Sequence, residues 1–178
     1  MICLIIPLNK LNKLSSCLTI FLIYYEKNRW MVYTTMMGRV LVFNQFSIIF
    51  IMLLPFNKEI ENFYIGLIVI VIGLIIGILA LKINKLDNFN ITPYLKDDCK
   101  LITDGIYKYI RHPMYSSVIV SMAGVLILYY NTTDLVLYII LVINMLVKMY
   151  YEEYLWKNRT SKYRSYCKNT KKLIPFIF

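Results

Sequence analysis

The stretch Gly105-Ile-Tyr-Lys-Tyr-Ile-Arg-His-Pro-Met-Tyr115 closes a polar segment and opens an apolar one, and its reading decides how the neighbouring chain is organised. It holds His112, the only histidine of the sequence, directly before Pro113. A residue before proline is pushed out of the helical region, and proline suits the first helical position, so His112 is expected to be the N-cap of a helix starting at Pro113. That helix is apolar and begins at a membrane surface. Its first backbone N–H groups have no carbonyl a turn earlier and carry the positive end of the helix dipole. With the hydroxyls of Tyr107, Tyr109 and Tyr115 and the cations Lys108 and Arg111 close by, the place suits an anionic small molecule.

Outward from this point the chain is dominated by apolar runs. The clearest are Val40 to Phe56, Phe63 to Leu81, Tyr115 to Tyr130 and Leu135 to Tyr150. Each is slightly short of the ~20 residues that cross hydrocarbon, but each can borrow a flanking turn rich in Tyr or Phe. Apolar residues make up 59% of the 178, which places the chain among integral membrane proteins and is the size of one domain. The net charge of +10 is explained by where the cations fall. Lys82 to His112 holds six Lys or Arg, the tail from Tyr151 seven and Met1 to Arg39 five, whereas the connector Asn57 to Glu61 has only Lys58 and Asn131 to Asp134 has none. By the positive-inside rule both termini and the central segment lie in the cytoplasm, and no nucleic acid is needed to account for the charge.

The expected fold is therefore all-α: a polytopic membrane helix bundle with four or five transmembrane helices and a cytoplasmic C-terminal helical segment. Residues 1–39 form a basic N-terminal leader, in which Leu14 to Tyr25 is an extra span or an interfacial helix, and 40–178 form the membrane domain. The cysteines Cys3, Cys17, Cys99 and Cys167 lack metal-ligand spacing, no metal is expected, and neither a Walker loop nor Gly-x-Gly-x-x-Gly occurs.

Within the spans, Gly73 and Gly77 with Gly66 one heptad earlier mark a close helix approach, expected inside the chain rather than between subunits. Ser117, Ser121 and Gly124 give the next span a matching small-residue stripe. In the last span Asn144, Lys148 and Glu152 recur every four residues and share one helix face. Lys148 either snorkels to the cytoplasmic surface or faces a partner in a wet cavity. Glu152 and Glu153 sit where the helix dipole disfavours carboxylates, which calls for a cation beside them: Lys148, Arg111 or a ligand. The tail Tyr154 to Lys172 reads as one basic amphipathic helix on the membrane surface, followed by the apolar Leu173 to Phe178.

Leu101-Ile-Thr-Asp-Gly-Ile-Tyr-Lys-Tyr-Ile-Arg-His-Pro-Met-Tyr115, then Glu152-Glu153, then Tyr163-x-x-Tyr166 and Ile174-Pro175, resemble the isoprenylcysteine carboxyl methyltransferase and phospholipid N-methyltransferase superfamily over about Phe63 to Phe178. Asn88-Phe-Asn-Ile-Thr-Pro93 is similar to a segment of its bacterial members. The resemblance implies a membrane enzyme using S-adenosylmethionine, with cofactor contacts from Leu101, Ile102, Tyr107, His112, Pro113, Met114, Tyr115 and Glu152. It also implies a lipid or lipid-linked acceptor: an isoprenylcysteine-type carboxylate, a phospholipid amine or a hydrophobic thiol. Where the isoprenylcysteine enzymes carry an arginine four residues before the first glutamate, this chain has Lys148, the candidate catalytic residue. Lysine keeps the charge but loses the bidentate fork, which weakens the case for a prenylcysteine carboxylate. The family's Phe-Gly before the paired tyrosines stands here as Thr160-Ser161. An NADPH-dependent sterol-type membrane reductase, which shares a similar Arg-His-Pro-x-Tyr region, and a non-catalytic membrane scaffold of the same fold are the alternatives.

Overall fold

The computed structural model describes residues 36–54, 58–88, 90–95 and 98–178. The chain divides into two units, Met1–Met37 and Gly38–Phe178, and the account below is of the second. The leader readings, with Cys3 and Cys17, lie outside the described residues.

Among the described residues five α-helices follow one another: α1 (Met36–Leu53), α2 (Phe63–Asn88), α3 (Pro113–Leu128), α4 (Thr132–Arg159) and α5 (Ser161–Asn169), with a 3-10 turn at Gly105–Lys108 before α3. α1, α2 and α4 are long and apolar enough to cross a membrane. α3, at 16 residues, is shorter. As the sequence predicts, α3 starts at Pro113 with His112 as its N-cap residue. α1 begins and ends earlier than the apolar run, stopping just before Pro55, whose ring disfavours helical backbone in the residue ahead of it. α2 runs on past Leu81 to Asn88 but breaks at Lys85, where φ is 53°.

The glycines of α2 are spent inside the chain. α2 packs along α3, with Gly66 facing Gly124 and Leu128, Gly73 facing Ser121, and Gly77 facing Ser117. A Cβ at Gly73 would lie 2.6 Å from the Ser121 backbone nitrogen, and one at Gly124 2.6 Å from that of Ile70. Ser117 Oγ donates to Gly73 O at 2.8 Å, so its hydroxyl is satisfied by the neighbouring backbone. On the other side of α3 the core is Ile48, Met52, Met122, Val125, Leu126, Leu141 and Met145, drawn from α1, α3 and α4. Apolar faces of α1 and α2 such as Phe43, Phe50, Ile68 and Ile72 remain outward, as they would toward lipid.

The tail departs from expectation. α4 continues nine residues past Tyr150, and Thr160, in extended conformation, ends it and caps the short α5 by accepting from Lys162 N–H at 3.3 Å. Threonine competes for backbone donors and so breaks what the charge pattern alone presents as one helix from Tyr154 to Lys172. Beyond α5 the chain turns back along the approach to α3: Lys171 N–H donates to Tyr109 O at 3.0 Å, Arg111 N–H to Lys171 O at 2.8 Å and His112 N–H to Lys172 O at 3.0 Å. Ser116 Oγ closes the contact on Leu173 O at 2.7 Å.

At the opposite end the two short connectors are joined. Lys58 Nζ pairs with Asp134 Oδ2 at 2.7 Å, with side chains 7% and 3% exposed, and also donates to Met52 O at 2.6 Å. Asp134 is held by Asn131, whose Oδ1 accepts Asp134 N–H at 2.8 Å as the N-cap of α4. The sequence marks Lys58 only as the sparse charge of a connector; the fold makes it the buried half of a clasp. Breaking a buried pair leaves an unpaired charge and costs about 3–5 kcal/mol, whereas replacing both halves by apolar residues is often neutral. Lys58→Ala is therefore expected to lower thermal stability in detergent sharply, and Lys58→Met combined with Asp134→Leu to restore most of it. Equal losses in the single and double variants would count against the clasp.

Candidate active site

Arg111, immediately before His112, lines the site and ties it to the surrounding elements. Its Nε donates to Glu153 Oε1 at 2.8 Å, with side chains 7% and 3% exposed, and its Nη1 donates to Thr170 O and, at 3.3 Å, to Cys167 O. Glu153 also receives Lys157 at 3.4 Å. The second of the two adjacent glutamates is thus consumed by the framework. Successive helix positions point about 100° apart, and Glu152 accordingly faces elsewhere: its Oε2 accepts from Tyr115 OH at 2.9 Å and lies 3.9 Å from His112 Nδ1. The His112 and Tyr115 rings stack, centroids 5.5 Å apart. Sequence reasoning had no signal to separate the two carboxylates by role beyond the first being the family's.

These groups line one cavity of about 340 Å³. Leu101, Ile102, Tyr107, His112, Pro113, Met114, Tyr115, Lys148 and Glu152, all nine candidate residues, are on its wall. Leu101 and Ile102 are brought there by Asn88, whose side chain clamps the loop by accepting Lys100 N–H at 2.7 Å and donating to Lys100 O at 3.0 Å. Gly105 has φ +55°, and a side chain there would strike Ile83 of α2, so glycine is what lets the 3-10 turn sit against that helix and present Tyr107.

Lys148 does not snorkel. It is 1% exposed, donates to Gln45 Oε1 at 2.6 Å, and stands 5.7 Å from the Tyr115 ring centre. One turn earlier Asn144 donates to Leu41 O at 3.1 Å, so the polar face of α4 foreseen in the sequence is turned onto α1. Gln45 itself was not singled out by sequence; an amide in an apolar run has no partner visible until the helices are placed.

Also unforeseen as site residues are Trp156, Tyr163 and Tyr166. Trp156 and Tyr163 stack with centroids 5.9 Å apart, Tyr166 meets Tyr163 edge-on, and Tyr166 OH donates to Tyr107 O at 2.6 Å. All three line the cavity. Burial raises the pKa of Tyr107, Tyr163 and Tyr166 above the ordinary tyrosine value, with nearby Glu152 adding to the effect at Tyr107 and Glu153 at Tyr163. They are neutral at any physiological pH.

A raised tyrosine pKa means that the folded chain keeps a proton the unfolded chain releases, so the contribution is whole below the unfolded value of about 10 and is lost as pH climbs through the folded one. Tyr163, which is buried and whose hydroxyl has only the weakly bonding Cys167 thiol beside it among the described residues, is the cleanest test. Tyr163→Phe should leave neutral-pH stability nearly unchanged and flatten the alkaline loss, as read by thermal unfolding from neutral pH to above ~10. An alkaline limb as steep as the wild type's would contradict it.

The family model described as phospholipid methyltransferase matches residues 62–159. The chain is 28% identical over 117 residues to proteins named "probable protein-S-isoprenylcysteine O-methyltransferase" from Oryza sativa subsp. indica and subsp. japonica, an alignment covering 64% of this chain and 61% of each relative. The chain thus spans under two thirds of those relatives' length. With more than half of its own length matched and three helices fit to cross a membrane, the chain belongs to the phospholipid methyltransferase family of integral membrane proteins.

Proposed function

We propose that the chain is an S-adenosylmethionine-dependent methyltransferase acting on a lipid-soluble acceptor. The observation that carries this is the single cavity joining the His112, Glu152 and tyrosine end to Lys148, Gln45, Phe46 and Ile49 among the membrane helices. One end suits a polar, charged cofactor and the other an acceptor dissolved in the bilayer.

The residues present fit the cofactor. His112 Nε2 is buried and has no hydrogen bond of good geometry among the described residues, Glu153 Oε1 lying 3.5 Å away, and the first N–H groups of α3 follow directly in sequence. The α3 N-terminus at Met114 and Tyr115 would receive a carboxylate. Glu152 would receive an ammonium or ribose hydroxyl. Trp156, Tyr163 and Tyr166 offer aromatic faces to an adenine or a cationic sulfur. Leu101, Ile102 and Pro113 supply the apolar wall. When bound, S-adenosylmethionine supplies a methyl group on a positively charged sulfur. The task left to the chain is to align the acceptor with that group and to exclude water, which the burial of Lys148 and His112 already favours.

Of the acceptors, an isoprenylcysteine-type carboxylate is favoured over a phospholipid amine. Lys148 is a buried cation with no carboxylate in salt-bridge range among the described residues, and an amine would bring a second cation to the same wall. In this reading Lys148 steadies the acceptor's charge. The excess of Lys and Arg around residues 82–112 and 157–172 supports a cytoplasmic site, with both termini on that side.

Binding of S-adenosylhomocysteine to the detergent-purified chain tests the site. His112→Ala and Glu152→Ala should each weaken it about tenfold or more, roughly the 1.4 kcal/mol or greater expected for one charge-assisted contact. Lys82→Ala, exposed on α2, should stay within about twofold. Unchanged binding in both site variants would overturn the assignment. Separately, Lys148→Met should abolish methyl transfer to a prenylcysteine acid while sparing cofactor binding; loss of both together would return Lys148 to the framework.

A further inference from the structure

α1 lies ahead of the residues matched by the family model, yet it supplies the one hydrogen-bond partner that Lys148 has among the described residues. Resting on the reading of the cavity as a methyl-transfer site, we infer that Gln45 is a positioning residue for its acceptor end: it holds the Lys148 ammonium at the cavity wall without neutralising it, and so selects acceptors whose head is anionic.

The choice of glutamine is what carries this. Gln45 is 8% exposed and its Oε1 takes one of the three N–H donors of Lys148 at 2.6 Å. A glutamate of nearly the same shape would have made a buried ion pair, the usual fate of a lysine in an apolar span, and would have repelled an incoming anion. The neutral amide keeps the lysine in place and adds no negative charge of its own, so that Glu152, one turn on along the same helix, is the carboxylate that acts on it and only from outside ion-pair distance. With its oxygen committed to the lysine, the amide carries only donors on its other branch, so the pair presents N–H groups and no competing acceptor. The adjoining wall is apolar, with Phe46 next in sequence, Ile49 one turn on, and Val118 from α3. Phe46 is also half exposed, which gives an apolar chain a way out between the helices toward lipid. The register is not free to slip, because Asn144 donates to Leu41 O one turn before both partners. Together these features describe a slot for an acidic head on a hydrocarbon tail.

The test is equilibrium binding of S-farnesyl mercaptoacetic acid and of its neutral methyl ester to the purified chain, with S-adenosylhomocysteine binding measured on every sample. Wild type should hold the acid at least tenfold more tightly than the ester. Gln45→Glu should bring the acid down to the level of the ester, leaving the ester and S-adenosylhomocysteine within twofold of wild type. Gln45→Met, which keeps length and bulk but cannot accept the strong hydrogen bond, should cut the acid preference several-fold, and it carries the test by itself if the glutamate variant does not fold. An equal grip on acid and ester by wild type, or an acid preference that survives both substitutions, overturns the inference. Failure of wild type to bind S-adenosylhomocysteine would instead sink the methyl-transfer reading, and an acid preference lost in the Gln45 variants would then still establish the anion-selective slot.

Discussion

The buried pair of Arg111 and Glu153 is the constraint from which the site follows. It joins residues 42 apart in sequence, and the same guanidinium reaches Cys167 O and Thr170 O, 56 and 59 residues away. Only arginine can do this with one side chain, because its planar fork offers five donors in fixed directions. Three elements, the lead into α3, the end of α4 and the return after α5, are thereby locked together. A buried pair pays heavily in desolvation, and this one recovers it through several charge-assisted hydrogen bonds. Its consequence for chemistry is indirect. With Glu153 anchored, the helix rotation places Glu152 on the cavity, within reach of Tyr115 and His112.

The two ends of the bundle are closed by different means, and the difference explains why the cavity lies at one of them among the described residues. At the Lys58 and Asp134 end, short connectors meet and a single ion pair with its cap is enough. At the other end, α2 and α4 run well beyond α3, and the gap between their extensions is filled by the Asn88-clamped loop, the 3-10 turn, α5 and the returning tail. Loops that carry function on a rigid scaffold are the common arrangement. The rigidity here comes from the small residues between α2 and α3, which bring the backbones close enough for Ser117 to hydrogen-bond across.

What the sequence made legible depends on whether the signal was local. The start of α3 at Pro113, the intrachain use of Gly66, Gly73 and Gly77, and the shared face of Asn144, Lys148 and Glu152 are matters of spacing along one helix, and each stands in the structure. All nine candidate residues converge on one cavity because the motif that suggested most of them is itself a folded unit. What was not legible is pairwise. Nothing in the run around Gln45 announces that Lys148 lies opposite it, and nothing in Tyr154 to Lys172 weighs Thr160 as a cap against a continuous amphipathic pattern. Lys58 was likewise visible as a charge but not as one with a buried partner. These are contacts over 76 to 103 residues or contests between two local preferences, and periodicity resolves neither.

The burial of Lys148 is best understood as a cost retained for use. A lysine among apolar helices is expensive, and a hydrophobic residue of similar volume would fill the same space between α1 and α4 more cheaply. The framework gains little from it: the α1 to α4 contact already has Asn144 on Leu41 O and the core from Ile48 to Met145. Elsewhere among the described residues, two buried cations are matched, Arg111 by Glu153 and Lys58 by Asp134. Lys148 alone among these three has a neutral partner, and it lines the cavity together with Gln45, Phe46 and Ile49 of α1. A charge held in place by an amide, outside ion-pair distance of any carboxylate among the described residues and beside an apolar wall, makes physical sense when an anion arrives with the ligand.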